Sequence, residues 1–222
     1  MKTTKWQIRL CENPDCSLRF PVSEGHPSGD RCPVCLGTTR VILTYSAQDE
    51  IKPQEKKTNS IHISGLLDNI RSAWNVGSIF RTSEGFGVDH LYLCGITTTP
   101  ESANLSKTAL GAENNVAWSY HKNSVVLGEQ LAGEGGLIWA LETNPGAKPV
   151  SAMADCAAEA RMSPGVVLVV GNEEAGVDPG LLNLCHETFF LPMQGRKRSF
   201  NVSVAFAIAV AMMTMQFTKA EK

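Results

Sequence analysis

The pattern of apolar and polar positions changes along this chain at about residue 60. After about residue 60, short apolar runs alternate with longer segments in which apolar residues recur at helical spacing. The runs predict six strands: Ser60–Ile63, His90–Cys94, Asn115–Ser119, Leu137–Leu141, Val166–Gly171 and Thr188–Leu191. Helices are predicted to begin near Asn75, Leu105, Asn123, Asp178 and Ser199. This alternation predicts an α/β sheet layered by helices.

The segment from Val202 to Phe217 near the C-terminus contains no charged residue. It is shorter than the roughly 20 apolar residues that a membrane-spanning helix needs, and polar side chains interrupt it. It therefore predicts a buried helix, and no membrane is expected as a partner. Because nearly all of its faces are apolar, this helix also points to a dimer interface.

Composition separates the chain into three zones. Residues 1–43 are turn-rich and carry cysteines, whereas residues 44–60 are polar, with a proline and mixed charges. We therefore predict a small domain over 1–43, a linker over 44–60 and a larger domain over 61–222. Apolar residues make up 43% of the chain, which favours a packed core over disorder. The net charge of −2 gives no overall basic field, so nucleic-acid contacts have to come from local patches.

Four of the seven cysteines form two close pairs near the N-terminus. Zinc takes four soft ligands in a tetrahedron, and two facing hairpin knuckles supply them. A metal-free cysteine cluster is the alternative, but 43 residues can hardly bury enough surface without a metal. We therefore predict a structural zinc ribbon with the ligands Cys11, Cys16, Cys32 and Cys35. The remaining cysteines are isolated, and the N-terminus leads into no apolar stretch, so a reduced, cytoplasmic protein is expected.

The role of the ribbon stays open at the level of sequence. Ribbons often present basic or aromatic side chains to RNA, and six residues are candidates for this: Trp6, Arg9, Arg19, Phe20, Arg31 and Arg40. Docking of another protein, or stabilisation alone, is the alternative.

Three polar, glycine-containing segments follow apolar runs in the larger domain. They span Asn69–Thr82, continuing to Val88, then Val166–Val177, and Phe189–Ala205. Neither a GxGxxG nor a Walker A motif accompanies them, so a dinucleotide site or a P-loop is unsupported. In this order and spacing, the three segments resemble the motifs of the SpoU/TrmH branch of SPOUT methyltransferases. The resemblance covers about two-thirds of the chain; Phe200, where leucine is usual, and the cysteine-bearing extension depart from the family pattern.

The resemblance implies a mostly parallel sheet with helices on both faces and a C-terminal trefoil knot, an exception to the rule against threaded chains. It also implies a homodimeric enzyme that transfers a methyl group from S-adenosylmethionine to a ribose 2′-hydroxyl of tRNA or rRNA. DNA is not an expected partner. The alternatives are an inactive RNA-binding protein of this fold and a base-directed RNA methyltransferase. A zinc-dependent hydrolase is excluded because four cysteines close the coordination shell.

The family pattern also implies which residues bind the cofactor. Gly171, Leu191 and Phe200 match backbone contact positions, while Thr143 and Met193 match positions that line the adenine pocket. Glycine permits close backbone approach, and the segment around Leu191 supplies an apolar wall.

Three of the catalytic residues implied by the resemblance precede the last motif. Arg81 is expected to hold an RNA phosphate and to stabilise the developing alkoxide, because a pKa above about 12 makes it a poor base. A surface arginine in an i,i+4 pair is the alternative. Asn75 either caps a helix or orients the substrate. Glu173 is expected to be a buried carboxylate that holds Asn and Arg side chains in register.

The other two catalytic residues, Ser199 and Asn201, open the last predicted helix. They act either as N-caps or as contacts to the target phosphate and ribose, since helix N-termini favour anions. Residues 196–198 form a basic cluster just ahead, which either contacts the RNA backbone or is an ordinary exposed loop.

Overall fold

A computed structural model describes residues 5–46 and 61–218, and these form two compact units. Most of the predicted linker, residues 47–60, lies outside the described residues. Its first three residues, 44–46, belong to a strand of the small unit.

The small unit is a three-stranded antiparallel sheet. Its strands are β1 (Lys5–Cys11), β2 (Arg19–Ser23) and β3 (Thr39–Ser46), with β1 in the centre. The register between β1 and β3 shifts after Ile8, which leaves Ile42 as the extra residue of a bulge. Two cysteine-bearing segments lie between the strands, one before β2 and one before β3.

The large unit contains a seven-stranded sheet. Its strands are β4 (Ile63–Asp68), β5 (His90–Cys94), β6 (Ala117–His121), β7 (Leu137–Leu141), β8 (Lys148–Pro149), β9 (Val166–Val170) and β10 (Glu187–Phe190). They lie in the order β6-β5-β4-β9-β7-β10-β8, and every pairing is parallel. The α/β class and the parallel sheet are therefore confirmed, while the trefoil knot stays a prediction.

Helices cover both faces of this sheet, as predicted. They are α1 (Ala73–Phe86), α2 (Ala103–Ala109), α3 (Ser124–Gly133), α4 (Ala157–Met162), α5 (Pro179–Leu182) and α6 (Val202–Thr218). Alternate residues of β9 enter two separate apolar cores. Val166, Leu168 and Val170 pack with α1, α2, α4 and α6. Val167 and Val169 pack with α3 and α5 on the other face.

The prediction of a strand at Ser60–Ile63 is wrong, because the strand starts at Ile63 and runs on to Asp68. Its centre holds Gly65, a residue that weakens a strand pattern in sequence. The glycine has a packing reason: a Cβ there would lie 2.7 Å from Leu91 and 3.1 Å from the Phe206 ring. The segment 148–162, which holds β8, a 3₁₀ segment and α4, was not predicted.

The predicted C-terminal helix is α6, and one side of it is buried in the core through Phe206, Val210 and Phe217. The other side is not covered: Val204 is 45% exposed and Met215 is 62% exposed. Within residues 5–46 and 61–218, no helix combines the length and apolar character needed to cross a membrane.

Candidate active site and cysteine cluster

A pocket of about 320 Å³ opens at the carboxyl edge of the parallel sheet. Its walls come from the segments that follow β7 and β9 and from the segment between β10 and α6. Ligand sites of parallel α/β sheets form at this edge, because loops from neighbouring strands converge there. All five residues that the sequence implies for the cofactor line the pocket: Thr143, Gly171, Leu191, Met193 and Phe200.

The loop after β9 is tightly closed. Asn172 and Gly176 exchange two backbone hydrogen bonds across it, of 3.0 and 2.9 Å. A Cβ on Gly171 would overlap the backbone of Gly176 and Val177, so only glycine fits at this position. Glycine at residue 171 therefore permits this close approach of two backbone segments at the pocket wall.

A chain of side-chain hydrogen bonds connects the three sequence motifs. Asn75 Nδ2 donates to Glu173 Oε1 at 2.8 Å, and Asn201 Nδ2 donates to Asn75 Oδ1 at 3.0 Å. Glu173 and Asn201 line the pocket. Asn75 lies behind them and fixes the position of each relative to the other.

Asn75 does not cap a helix. The N-cap of α1 is Ser72, whose side chain accepts from the Asn75 N–H, and Asn75 stands in the first helical turn. Its side chain is therefore free to bond Glu173 and Asn201, and the capping alternative is wrong for this residue.

Glu173 is exposed, not buried as the sequence suggested. Its carboxylate accepts from the Asn75 amide and, at 3.3 Å each, from the backbone N–H groups of Arg71 and Ser72. Desolvation raises the pKa of Glu173, but these hydrogen bonds together lower it by more, so this pKa lies below its ordinary value. The expected asparagine partner is present, whereas the arginine contributes its backbone and not its side chain.

Asn201 caps α6, one of the two roles that the sequence left open for it, and its contact with the ribose stays a prediction. Its Oδ1 accepts from the Ser203 N–H at 3.0 Å and so caps α6, while its amide faces Asn75. The helix starts at Val202, three residues later than predicted, which leaves Ser199 outside it. Because Ser199 lies two residues before the cap position, it is not an N-cap. It is exposed and lines the pocket.

Arg81 lies on α1, is exposed and is not part of the pocket lining. It has no ion-pair partner in the described part of the chain, so the i,i+4 pair proposed as an alternative does not form. Residues 196–198 are all exposed, and Arg198 lines the pocket.

Three further polar residues shape the site and were missed in the sequence. Glu142 accepts from the N–H groups of Thr143 and Val177, at 2.8 and 3.1 Å, and so holds two pocket walls together. Asn172 donates to the Asn69 carbonyl at 2.8 Å, and buried Asp68 accepts from the Asp178 N–H at 2.8 Å. Asp68 and Glu142 each stand at the carboxyl end of an apolar run, a signal that could have identified them.

The four N-terminal cysteines converge in the small unit. Their sulfur atoms all lie within 4.8 Å of one another, with 3.4 Å between Cys11 and Cys35 and 3.7 Å between Cys16 and Cys32. Tetrahedral zinc with Zn–S bonds of about 2.3 Å requires sulfur separations of about 3.8 Å. Backbone N–H groups of Cys35 and Val34 lower the pKa of Cys32 to about 7 against the effect of burial. The donor set thus fits a zinc ion.

Comparison with known proteins identifies the large unit. Residues 62–211 match the SpoU rRNA Methylase family. The 23S rRNA (guanosine(2553)-2′-O)-methyltransferase RlmP of Bacillus subtilis is 28% identical over 158 residues, which are 71% of this chain and 60% of RlmP.

Two solved structures share the fold. The A. aeolicus TrmH/SpoU tRNA modifying enzyme superposes with a TM-score of 0.60 at 25% identity, covering 69% of this chain and 74% of that enzyme. An AdoMet-bound rRNA methyltransferase from Sinorhizobium meliloti also gives 0.60 at 25% identity, covering 72% of this chain and 57% of that one.

The fold and the pocket define an α/β protein with a ligand site at the carboxyl edge of its parallel sheet. The chain belongs to the SpoU rRNA Methylase family, which confirms the resemblance seen in the motifs. It spans 60% of the length of the RlmP relative.

Proposed function

We propose that this protein methylates a ribose 2′-hydroxyl of tRNA or rRNA, with S-adenosylmethionine as the methyl donor. The observation that carries the proposal is the chain of hydrogen bonds from Glu173 through Asn75 to Asn201, which joins all three family motifs at one pocket. Family membership and the 2′-O-methyltransferase relative support the same activity.

The pocket residues fit the cofactor. Leu191, Met193 and Phe200 offer apolar surface to the adenine, and Thr143 and Gly171 line the same pocket. When bound, S-adenosylmethionine supplies an electrophilic methyl group.

The remaining site residues serve the RNA. Asn201 and Ser199 are assigned to the ribose and its phosphate, because both line the pocket at the start of α6, where backbone N–H groups favour anions. Arg81 is assigned to a neighbouring phosphate and to the negative charge that grows on the 2′-oxygen while its proton passes to solvent water. Glu173 and Asn75 position Asn201 and do not contact the reacting atoms.

The experiment is methyl transfer to tRNA and rRNA, with the product mapped by nuclease digestion and mass spectrometry. Arg81→Ala is expected to lower kcat by at least about 100-fold, the scale of a lost charge-stabilising donor. Cofactor affinity measured by calorimetry should not change, since Arg81 is outside the pocket lining. Arg81→Lys should recover part of the rate because it restores the charge.

Three results would contradict the proposal. A product methylated on the base would indicate a base-directed enzyme. RNA binding without transfer to either RNA class would indicate an inactive binding protein. Loss of cofactor affinity in Arg81→Ala would remove the assigned role of this residue.

We extend the proposal to a structural zinc ion held by Cys11, Cys16, Cys32 and Cys35. The sulfur separations support it, and four thiolates leave no open coordination position for catalysis. A cytoplasmic location, where thiols stay reduced, belongs to the same proposal.

A homodimer is the last part of the proposal. Val204, Ile208, Ala211 and Met215 follow helical spacing on the uncovered side of α6 and form an apolar stripe. Met215→Glu should convert a dimer to a monomer in sedimentation velocity. Met162→Glu is the matched control, because Met162 is 83% exposed on a different helix. A monomeric wild-type protein would contradict this part alone.

A further inference from the structure

One face of the small unit's sheet carries an unusual set of side chains. In an antiparallel sheet, directly opposite residues point to the same face, and alternate residues of one strand share that face. Trp6 of β1 lies between Ser23 and Tyr45 of the outer strands. We name this side of the sheet the Trp6 face.

The register fixes the rest of the Trp6 face. Ile8 lies between Pro21 and Leu43, and Leu10 lies between Arg19 and Arg40. The face therefore has an aromatic pair at one end, an apolar middle and two arginines at the other end. No carboxylate belongs to this face within the three strands.

The opposite face is occupied in part by the protein itself, around Arg9. Arg9, one of the predicted RNA contacts, is buried there and donates to Asp30 at 2.7 Å and to the Thr39 hydroxyl at 2.9 Å. Phe20 lies opposite Arg9 and shares its face. Burial makes Arg9 unavailable to a partner, which corrects one of the six candidates, and Phe20 lies outside the Trp6 face.

The Trp6 face is uncovered by comparison. Tyr45 is 40% exposed and Leu43 is 52% exposed, and both arginines are exposed. Neither Arg19 nor Arg40 has an ion-pair partner within the described ranges. Among the described residues, two guanidinium groups without an ion-pair partner lie at one end of the face, and half-buried Trp6 and exposed Tyr45 lie at the other. Such a face is complementary to an extended ligand that has both negative charge and flat rings.

We infer that the Trp6 face binds single-stranded RNA, with bases stacked on Trp6 and Tyr45 and phosphates held by Arg19 and Arg40. Aromatic stacking combined with backbone neutralisation is how proteins bind unpaired strands without sequence preference. A second copy of the chain that paired through the same face would leave the arginines without acceptors, because the strands of this face carry no carboxylate. The inference takes RNA as the polyanion from the proposed function, but it does not depend on methyl transfer.

The test is fluorescence anisotropy of a labelled single-stranded oligouridylate with the full-length, zinc-loaded protein in the absence of S-adenosylmethionine. Trp6→Leu should weaken binding by about tenfold or more, the scale of one lost stacking contact, and Trp6→Phe should retain most of it. In a plot of the logarithm of the binding constant against the logarithm of the salt concentration, Arg19→Ser and Arg40→Ser should each reduce the steepness of the slope by about 0.7.

Lys5→Ser is the matched control, because Lys5 is exposed and adjacent to Trp6, so it points to the opposite face. It should bind as the wild type does. Zinc content measured for each variant shows that the ribbon is intact, and the two surface arginine variants test the inference even if Trp6→Leu does not fold.

Three results would overturn the inference. One is equal binding by the wild type, Arg19→Ser and Arg40→Ser. Another is an equal loss in Lys5→Ser, which would show non-specific attraction. A change of oligomeric state in the Leu43→Ser variant with unchanged RNA affinity would assign the face to a second copy instead. Because cofactor is omitted, failure here leaves the methyltransferase proposal standing, and failure of methyl transfer leaves this inference standing.

Discussion

The two units of this protein are stabilised in different ways. Among the described residues of the small unit, Cys11 and Cys32 are the only buried apolar side chains, and Arg9 and Thr39 are buried with them. The large unit has two apolar cores, one on each side of a parallel sheet. A cysteine cluster that fits a zinc ion and a polar network thus take the place of a hydrophobic core in the small unit, so the two units should respond to different perturbations.

Removal of the metal gives the largest expected effect on this contrast. Structural zinc in small domains contributes about 10–16 kcal/mol, far more than the small unit can gain from its buried area. Chelation should therefore abolish amide protection in residues 5–46 and leave it intact in residues 61–218, as measured by hydrogen-exchange mass spectrometry. Cys32→Ser should have the same effect.

Cys156→Ser is the control for that experiment, since Cys156 is an isolated cysteine of the large unit. It should retain the zinc and the protection of residues 5–46. Protection that survives complete loss of zinc would show that the ribbon folds without a metal.

Truncation of the apolar core should affect the large unit alone. Phe206→Ala removes a fully buried ring from α6 and should cost about 3–5 kcal/mol in the free energy of unfolding. Denaturant titration measures this loss, while exchange in residues 5–46 should not change. Met162→Ala, at a position that is 83% exposed, is expected to have little effect, and equal costs for the two variants would contradict the assignment of the core.

A smaller effect separates the two roles of Asn201. Asn201→Ala loses both the cap and the contact to Asn75, and it should cost about 1 kcal/mol of stability. Asn201→Ser keeps a capping oxygen and should be nearly as stable as the wild type. Both variants should lose methyl transfer, because neither can reach Asn75; full activity in Asn201→Ser would show that the contact is dispensable.

The smallest expected effect is the pH dependence of Glu173. Its pKa in the folded protein is below the ordinary 4.5, so the charged carboxylate stabilises the fold above that pH. The contribution is lost as the pH falls through the lowered pKa. The wild type should exceed Glu173→Gln in the free energy of unfolding at neutral pH, and this difference should vanish in acid. Its size should be below about 1 kcal/mol, because the group is exposed. A difference that grows in acid would reverse the sign of the shift.

Local signals in the sequence predicted the fold better than they predicted the site. β5 and β7 have the predicted bounds because each is one uninterrupted apolar run. Asp178 and Pro179 mark the start of α5, and Asn123 caps α3, because caps depend on neighbouring residues alone.

The site could be predicted only as a set of residues. The sequence gathers the five cofactor residues by resemblance, and the structure places them around one pocket. The sequence motifs did not identify Ser72 as the cap of α1 that leaves the Asn75 side chain free, nor did they indicate that Glu173 is exposed. The cap is a local contact three residues from Asn75, whereas the setting of Glu173 depends on contacts between segments about 100 residues apart, such as that between Glu173 and Asn75.

The bond between Asn75 and Asn201 joins positions separated by 126 residues. During synthesis, Asn75 leaves the ribosome long before its partner, and the first turn of α6 emerges after every strand of the parallel sheet. A nascent chain can therefore form most of its sheet before the Asn201 side chain completes the candidate active site. The site is completed in one late step, and chains truncated before residue 201 should be partly folded but unable to transfer a methyl group.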